Sequence, residues 1–313
     1  MPPKPSAPTA SIVMPCHNHS LYVRQSVVAL LRQTFGDFEL IIVNDASKDD
    51  SLVTLQALAA QDDRIKLISH DRNLGASRTR NDGLRAARGE FVAFCDADDL
   101  WKPGKLEAQI KLLGENPSCD ATYCDSEIID ETDRVTGELF SQQFPPPQPA
   151  SGNLFPALCV RNFVNMQTVL LRREAVGELL YFDEGIKWVE DWWQWIRLAH
   201  KHRFCYDERP LAQYRVHSQS TGRTQRPGIR VNRWRVCRRN LRTHPDLSTP
   251  MQAQLWYMMG LELHQMGRRH LARRFFCRAT CLGFHKGTPL KTLVKMISRL
   301  CASSLGLPIA TIH

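Results

Sequence analysis

The sequence predicts an α/β fold in which helices cover both faces of a sheet, followed by a helical C-terminal extension. Three observations predict it. Short β-branched apolar runs alternate with helically spaced apolar residues through the first hundred positions. Polar loops follow the first, second and fourth of those runs. Beyond residue 222 only helical patterns recur. Strands apolar at nearly every position and separated by helices belong to a parallel sheet buried on both sides.

Taken in order, Ser11–Met14 is the first apolar run, stopped by Pro15. Leu21–Gln33 has helical spacing through Val23, Val27, Leu30 and Leu31. Glu39–Val43 is a second strand, Ser51–Ala60 a helix, Arg64–Ile68 a strand, and Gly75–Arg88 a helix stopped by Gly89. Phe91–Cys95 is a fourth strand, and Pro103–Leu113 a helix with proline at its start. Ala121–Ile129 is a strand leading to a polar hairpin at Asp130–Gly137, while Phe144–Pro149 is too proline-rich to be regular. Val169–Leu171, Arg203–Tyr206 and Leu211–Arg215 read as short strands, and Val189–Lys201 as a tryptophan-rich helix. Ile229–Arg242, Pro250–Met266 and Arg268–Leu282 are helical, the last two forming a hairpin at Gly267, and Leu290–Leu305 is an amphipathic basic helix. The expected domains are therefore 10–222 and 223–313, after a disordered leader at 1–9.

The 313 residues, 43% hydrophobic, suffice for a sizeable core. No apolar stretch reaches the roughly 18 residues of a membrane span, and MPPKPSAPTA lacks the apolar centre of a signal peptide, so a cytosolic chain is expected. Ten cysteines are scattered. The close pairs Cys119/Cys124 and Cys277/Cys281 have no partner pair at zinc spacing, and buried free thiols are expected in a reducing compartment. Residues 1–199 carry 20 Lys plus Arg against 28 Asp plus Glu, net −8; residues 200–313 carry 21 against 4, net +17. The acidic front suits a metal or substrate site, and the basic back a phosphate-bearing surface.

The polar loops Cys16–His19, Asn44–Ser47 and Asp96–Asp99 fall at the carboxyl edge of the sheet, where ligands of open α/β sheets sit. FVAFCDADD delivers Asp96, Asp98 and Asp99 into one loop, where repulsion favours a bound cation. Mg2+ or Mn2+, shared with a diphosphate, fits such oxygen donors, although an acid-rich turn capping the next helix has the same composition. Asp45 in IIVNDAS is placed to accept from a base or ribose, or to cap a helix. Arg78 and Arg80 offer forks for phosphate or carboxylate, or simply a solvated basic face. Glu190 and Asp191 open the tryptophan-rich helix, where acids suit the dipole; alternatively Asp191, desolvated by tryptophans, is a general base. In QYRVHSQS, Arg215 and His217 share a strand face, suiting phosphate and metal, or a structural histidine.

In this order the elements resemble the family 2 inverting glycosyltransferases. SIVMPCHNHSLYVRQSVVALLRQTFGDFELIIVNDASKDDS is similar to their opening block, DRNLGASRTRNDGLRAARGEFVAFCDADDLW to their second, and VEDWWQWIRLA to their acidic-pair block; Phe182–Glu184 and YRVHSQS also match in place. The resemblance, over about residues 10–222, implies a GT-A type, Rossmann-like mixed sheet flanked by helices. It implies that Asp45 contacts the nucleobase, commonly uracil, that Asp96 contacts ribose, that Asp98 binds the metal with His217 nearby, and that Asp191 deprotonates the acceptor hydroxyl. Pro15 begins the loop around the nucleotide, and Arg80, Ala97, Glu190 and Arg215 complete the expected nucleotide-sugar contacts. The chain departs from the family's usual residues at Asn44, Ala46, Thr79 and Trp192-Trp193, where Asp, Gly, Ala and an aromatic-Asp pair are common.

The expected activity is inverting transfer from a nucleotide sugar, a UDP-sugar, to a hydroxyl of a glycan or lipid-linked acceptor in envelope or exported polysaccharide synthesis. The basic stretch Arg223–Arg242 and the last helix suit an anionic membrane face, placing the chain on the inner side of the plasma membrane; a solvated helical cap has the same composition. A sugar nucleotidyltransferase fits less well, because residues 12–20 contain no glycine for a triphosphate loop, and no GxGxxG supports a dinucleotide oxidoreductase. A nucleic-acid-binding protein using the basic tail leaves the acidic loops unexplained.

Overall fold

The computed structural model describes residues 7–218, 220 and 227–283. The predicted helix at Leu290–Leu305 and the start of the basic stretch, 223–226, lie outside them. The chain divides into two compact units. The first comprises Met1–Phe155, Asn162–Gly185 and Glu190–Thr224; the second comprises Pro156–Arg161, Ile186–Val189 and Gln225–His313.

The first unit is built on a nine-stranded sheet. Its elements run β1 (Ala10–Cys16), α1 (Val23–Leu31), β2 (Phe38–Asn44), α2 (Ser51–Ala59), β3 (Ile65–Ser69), α3 (Ala76–Ala86), β4 (Phe91–Phe94), β5 (Leu100–Trp101), α4 (Lys105–Glu115), β6 (Ala121–Ile129), β7 (Val135–Leu139) and α5 (Phe140–Gln143). Next along the chain is α6 (Phe155–Val160), which apart from Phe155 belongs to the second unit; the first unit resumes with β8 (Leu170–Arg172), α7 (Arg173–Val176), α8 (Glu190–Lys201) and β9 (Phe204–Arg215). The strand order is β3-β2-β1-β4-β8-β6-β9-β5, with β7 pairing β6 at the side.

β1 to β4 are parallel, but β8 lies antiparallel between β4 and β6, so the sheet is mixed, as the family resemblance implies, and not wholly parallel as the strand pattern alone suggests. The two short strands expected near the end of this unit are one strand, β9. It stays paired with β6 through bulges at Cys124–Ser126, which absorb Pro210.

Every residue of β2 is buried, as two-sided cover requires. On one face, Ile12, Met14, Leu40 and Ile42 pack against Val23, Val27 and Leu30 of α1, spaced at helical intervals. On the other, α3 approaches β1 so closely that a Cβ on Gly83 would lie 2.6 Å from Val13 Cγ1. Pro15 sits inside β1. The residues of β1 bond alternately to β2 and β4, and Pro15 faces the β4 side, where pairing has ended at Val13↔Phe94; no partner there needs its missing N–H. The loop after β1 therefore begins at His17, not at Pro15 as expected.

The expectation of free thiols throughout is corrected. Cys119 and Cys205 form a disulfide, their Cα atoms 6.0 Å apart. Their separation of 86 positions hides a pairing that follows from the adjacency of β6 and β9. Cys277 and Cys281 are free but exposed.

The second unit contains α9 (Pro227–Thr243), α10 (Thr249–Gln265) and α11 (Arg269–Gly283). Ala253, Tyr257, Leu263, Ala272, Phe276 and Ala279 form its core. Gly260 gives the Phe276 ring room, since a Cβ there would lie 2.6 Å from it. No helix among the described residues is long and apolar enough to cross a membrane.

Candidate active site

β1, β2 and β4 end on one edge, with Cys16 opposite Asn44 in register, and their following loops are tied together. Asn18 and Lys48 are linked by a 2.7 Å bond from the Lys48 amide to Asn18 Oδ1, and the amides of His19 and Ser20 donate to Ser51 Oγ and Asp49 Oδ2, both at 2.9 Å. The crevice between β1 and β4 is the switch point of the strand order.

Asp45 is buried. Its carboxylate accepts from the Leu74 amide at 2.8 Å, the Gly75 amide at 2.9 Å and His70 Nδ1 at 2.9 Å. Burial pushes its carboxyl up, but these hydrogen bonds outweigh that effect and hold it below the ordinary range. Gly75, with φ +89°, caps α3, so Asp45 anchors the start of that helix. The opposite ring nitrogen of His70 lies 3.2 Å from Asp82 Oδ2. Ala46, where glycine is usual in the family, has φ +53°.

α3 carries the central bridge of the site. Arg80 is buried, with one guanidinium nitrogen 2.7 Å from Asp96 Oδ1 and the other 2.8 Å from Glu190 Oε1. Burial disfavours its charge, but the two carboxylates more than compensate and raise its pKa. Asn81 donates to the Phe182 carbonyl at 2.9 Å and accepts from the Phe182 amide at 2.7 Å, fixing the Phe182–Glu184 segment. Arg80 and Glu190 are therefore partners of each other before they meet any ligand.

The three aspartates of the acidic loop have different surroundings. Asp96 is partly exposed, its side chain at 31%. Asp98 Oδ2 lies 3.0 Å from His217 Nε2. Burial raises the Asp98 carboxyl, but the His217 bond and the charge of His19 prevail, so it sits below the ordinary range. Asp99 turns inward to accept the Arg215 amide at 2.8 Å. Burial, with repulsion from Asp98 and Asp96, raises its carboxyl well above the ordinary range, so of the three it is the one whose charge the surroundings most disfavour. Ala97 is in the core, and its carbonyl accepts Ser26 Oγ–H at 2.9 Å, which leaves no side chain for a ligand.

Arg215 also differs from the phosphate contact expected of it. Its side chain is fully buried. Nε donates to the Asp98 carbonyl at 2.6 Å, a terminal nitrogen pairs with Asp133, and the guanidinium lies 4.7 Å from the Tyr22 ring centroid. It braces the acidic loop from behind. Tyr22 also packs against His217, ring centroids 4.9 Å apart.

Asp191 is partly buried at the start of α8, next to the buried Trp192 and Trp193. Asn162 Nδ2 donates to one carboxylate oxygen at 2.8 Å and the Trp192 amide to the other at 2.7 Å. Burial first, and the neighbouring Glu190 charge second, push its pKa up to about 7, suited to a base working near neutrality. The half-buried Tyr214 hydroxyl is affected by the charges of Asp99, Asp98, Asp96 and Asp191 together, so these carboxylates share one electrostatic neighbourhood. His70, Asn162 and Tyr22 were not singled out from the sequence.

Asp98 and His217 offer one oxygen and one nitrogen donor side by side. No group of three His, Cys, Asp or Glu side chains arranged to hold a metal occurs among the described residues. A hard divalent cation takes one or two carboxylates completed by ligand phosphate oxygens, so Asp98 fits a cation that arrives with, or is completed by, a diphosphate, with the softer His217 nitrogen beside it.

Residues 11–179 match the family model Glycos_transf_2, described as Glycosyl transferase family 2. An uncharacterized glycosyltransferase of Rickettsia bellii is 30% identical over 211 residues, 67% of this chain but 29% of that protein, so the chain spans under a third of this relative. The Escherichia coli UDP-Glc:alpha-D-GlcNAc-diphosphoundecaprenol beta-1,3-glucosyltransferase WfgD is 35% identical over 133 residues, 42% of this chain and 51% of that one. Among solved structures, S. aureus TarS 1-349 in complex with UDP-GlcNAc matches with TM-score 0.60 at 15% identity, covering 96% of this chain and 93% of that one. The mannosyltransferase PcManGT from Pyrobaculum calidifontis, in complex with GDP-Man and Mn2+, matches with TM-score 0.60 at 17% identity over 96% of this chain and 87% of that one.

Proposed function

Because this chain belongs to glycosyl transferase family 2, we propose that it moves a sugar from a UDP-sugar to a hydroxyl of a lipid-linked or envelope glycan acceptor, with inversion at the anomeric carbon. The observation that carries the reading is the Arg80 fork. It ties Asp96 of the metal loop to Glu190, and so sets Asp191, with its pKa near 7, beside the donor end of the site. Asp191 takes the proton of the acceptor hydroxyl as that oxygen attacks the anomeric carbon. The bond from that carbon to the diphosphate breaks on the opposite side, and the nucleoside diphosphate leaves. Asp45 keeps a free acceptor direction for a base N–H after its three bonds, and the exposed edge of Asp96 suits a ribose hydroxyl. Mg2+ or Mn2+ at Asp98 and His217 would offset the charge of the departing diphosphate.

The WfgD relative acts on a diphosphoundecaprenol-linked sugar, which favours a lipid-linked acceptor and a working place on the cytoplasmic face of a membrane. The test is a panel of nucleotide sugars scored for released diphosphate, with and without EDTA. We expect one UDP-sugar to dominate and EDTA to abolish release, with restoration by Mn2+ or Mg2+. Full turnover in EDTA would sink the metal assignment, and no turnover with any donor, lipid acceptor supplied, would sink the enzyme reading.

A further inference from the structure

The second unit carries a surface that the reaction does not use. Residues 227–283 contain eleven arginines and two acids. Nine of those arginines are exposed, whereas Glu262 is buried between Arg230 and Arg233, 3.6 Å from each. Across the three helices, half-buried aromatic rings form a chain. Trp234 of α9 lies 6.4 Å from Phe275 of α11, and Phe275 lies 5.2 Å from Trp256 of α10. Arg238 covers the Trp234 ring at 5.2 Å and Arg278 the Trp256 ring at 5.7 Å.

We infer that this aromatic-arginine face docks the protein on a bilayer bearing anionic headgroups. Guanidinium groups laid on indoles hold their outer edges for phosphate, and half-buried rings packed on the core keep those arginines in place on the surface. Single-stranded RNA is the competing polyanion, but it binds by stacking bases on open aromatic faces. Here arginines cover Trp234 and Trp256, and Phe275 packs between the two tryptophans, so the surface offers charge without a stacking platform. The inference deepens the lipid-linked reading of the acceptor and rests on it for its purpose: a chain whose described helices do not span the bilayer meets a bilayer-held acceptor by lying on its surface.

The test is flotation of the full chain with phosphatidylcholine vesicles, with and without phosphatidylglycerol, at low and high salt. We expect flotation only with the anionic vesicles, reversed by salt. Arg238→Ala with Arg278→Ala should weaken it about thirtyfold, taking roughly 1 kcal/mol per arginine, while Arg238→Lys with Arg278→Lys keeps most of it. Diphosphate release from the preferred donor in solution should be unchanged in both double variants, which also reports that they fold. Absence of flotation, equal flotation with neutral vesicles, no loss in the alanine pair, or tighter binding to RNA would overturn the inference. Anionic flotation with no turnover on any donor would overturn the enzyme reading and the acceptor-delivery purpose while leaving the surface itself standing.

Discussion

Asp191→Asn should inactivate the protein and stabilise its fold at alkaline pH. Holding a carboxyl near pH 7 that ordinarily ionises near 3.8 means that the native state resists the charge its base function needs. Roughly three units at about 1.4 kcal/mol each gives about 4 kcal/mol. Asp191 is partly exposed, so solvent screening reduces this to about 2 kcal/mol. Asparagine removes that cost, but its single oxygen can accept from only one of Asn162 Nδ2 and the Trp192 amide, a loss of about 1 kcal/mol. The net expectation is a variant about 1 kcal/mol more stable than wild type at about pH 8. The native state binds the proton more tightly than the unfolded chain, so this group's stabilisation is complete below its unfolded value and is lost as pH rises through about 7. Near pH 4 the wild type should therefore be the more stable of the two. Urea unfolding at both pH values measures the difference. If the variant is less stable by the same margin at both, the carboxylate is not held against ionisation. The wild-type kcat/KM should rise through about pH 7, and the variant should lose at least about a hundredfold in transfer while still binding UDP.

Asp99→Asn should leave donor turnover within a few-fold of wild type, because Asp99 turns inward to the Arg215 amide and its charge is disfavoured there by burial, whereas Asp98→Asn should abolish it; parallel diphosphate-release assays separate the neighbours. His70→Ala should raise KM for the donor about tenfold or more, through loss of a charge-assisted bond to Asp45 worth about 1.5–3 kcal/mol, and lower kcat less; an equal fall in kcat would instead place His70 with the reacting atoms. Ala46→Gly should raise the unfolding free energy by up to about 1 kcal/mol by relieving its left-handed backbone, as read by urea titration.

The strands of the first hundred residues were legible because each is apolar almost throughout, and such runs admit few other structures. β8 was legible only as a segment. Its three residues carry no signal that they insert antiparallel between β4 and β6. Pro210 and the charged residues around it split β9 into two expected strands, because a bulge that hides a proline leaves no mark on local pattern. In the site, the types of residue were readable and their partners were not. Arg80 meets Glu190 across 110 positions, so nothing nearby distinguishes a phosphate clamp from an internal brace. Asp98 and Asp99 are chemically identical neighbours that the chain turns to opposite sides, one toward His217 and one toward the Arg215 amide.

These braces share one origin. The start of α3 is fixed by Asp45, its middle carries Arg80 and Asn81, and its far half lies against Val13 through Gly83. The loop after β2, the acidic loop, the Phe182–Glu184 segment and, through Glu190, the start of α8 thus take their positions from one helix. Its buried face is mostly polar, with Ser77, Thr79, Arg80 and Asn81 inside. Polar groups in such a place cost stability unless every partner is present, so the helix can sit there only when the surrounding loops are in their working arrangement. A helix seated by apolar contacts would tolerate a slip of a fraction of an ångström. This one loses hydrogen bonds to charged groups for the same slip, and that makes it suited to hold the proposed base and the proposed metal ligand in fixed relation.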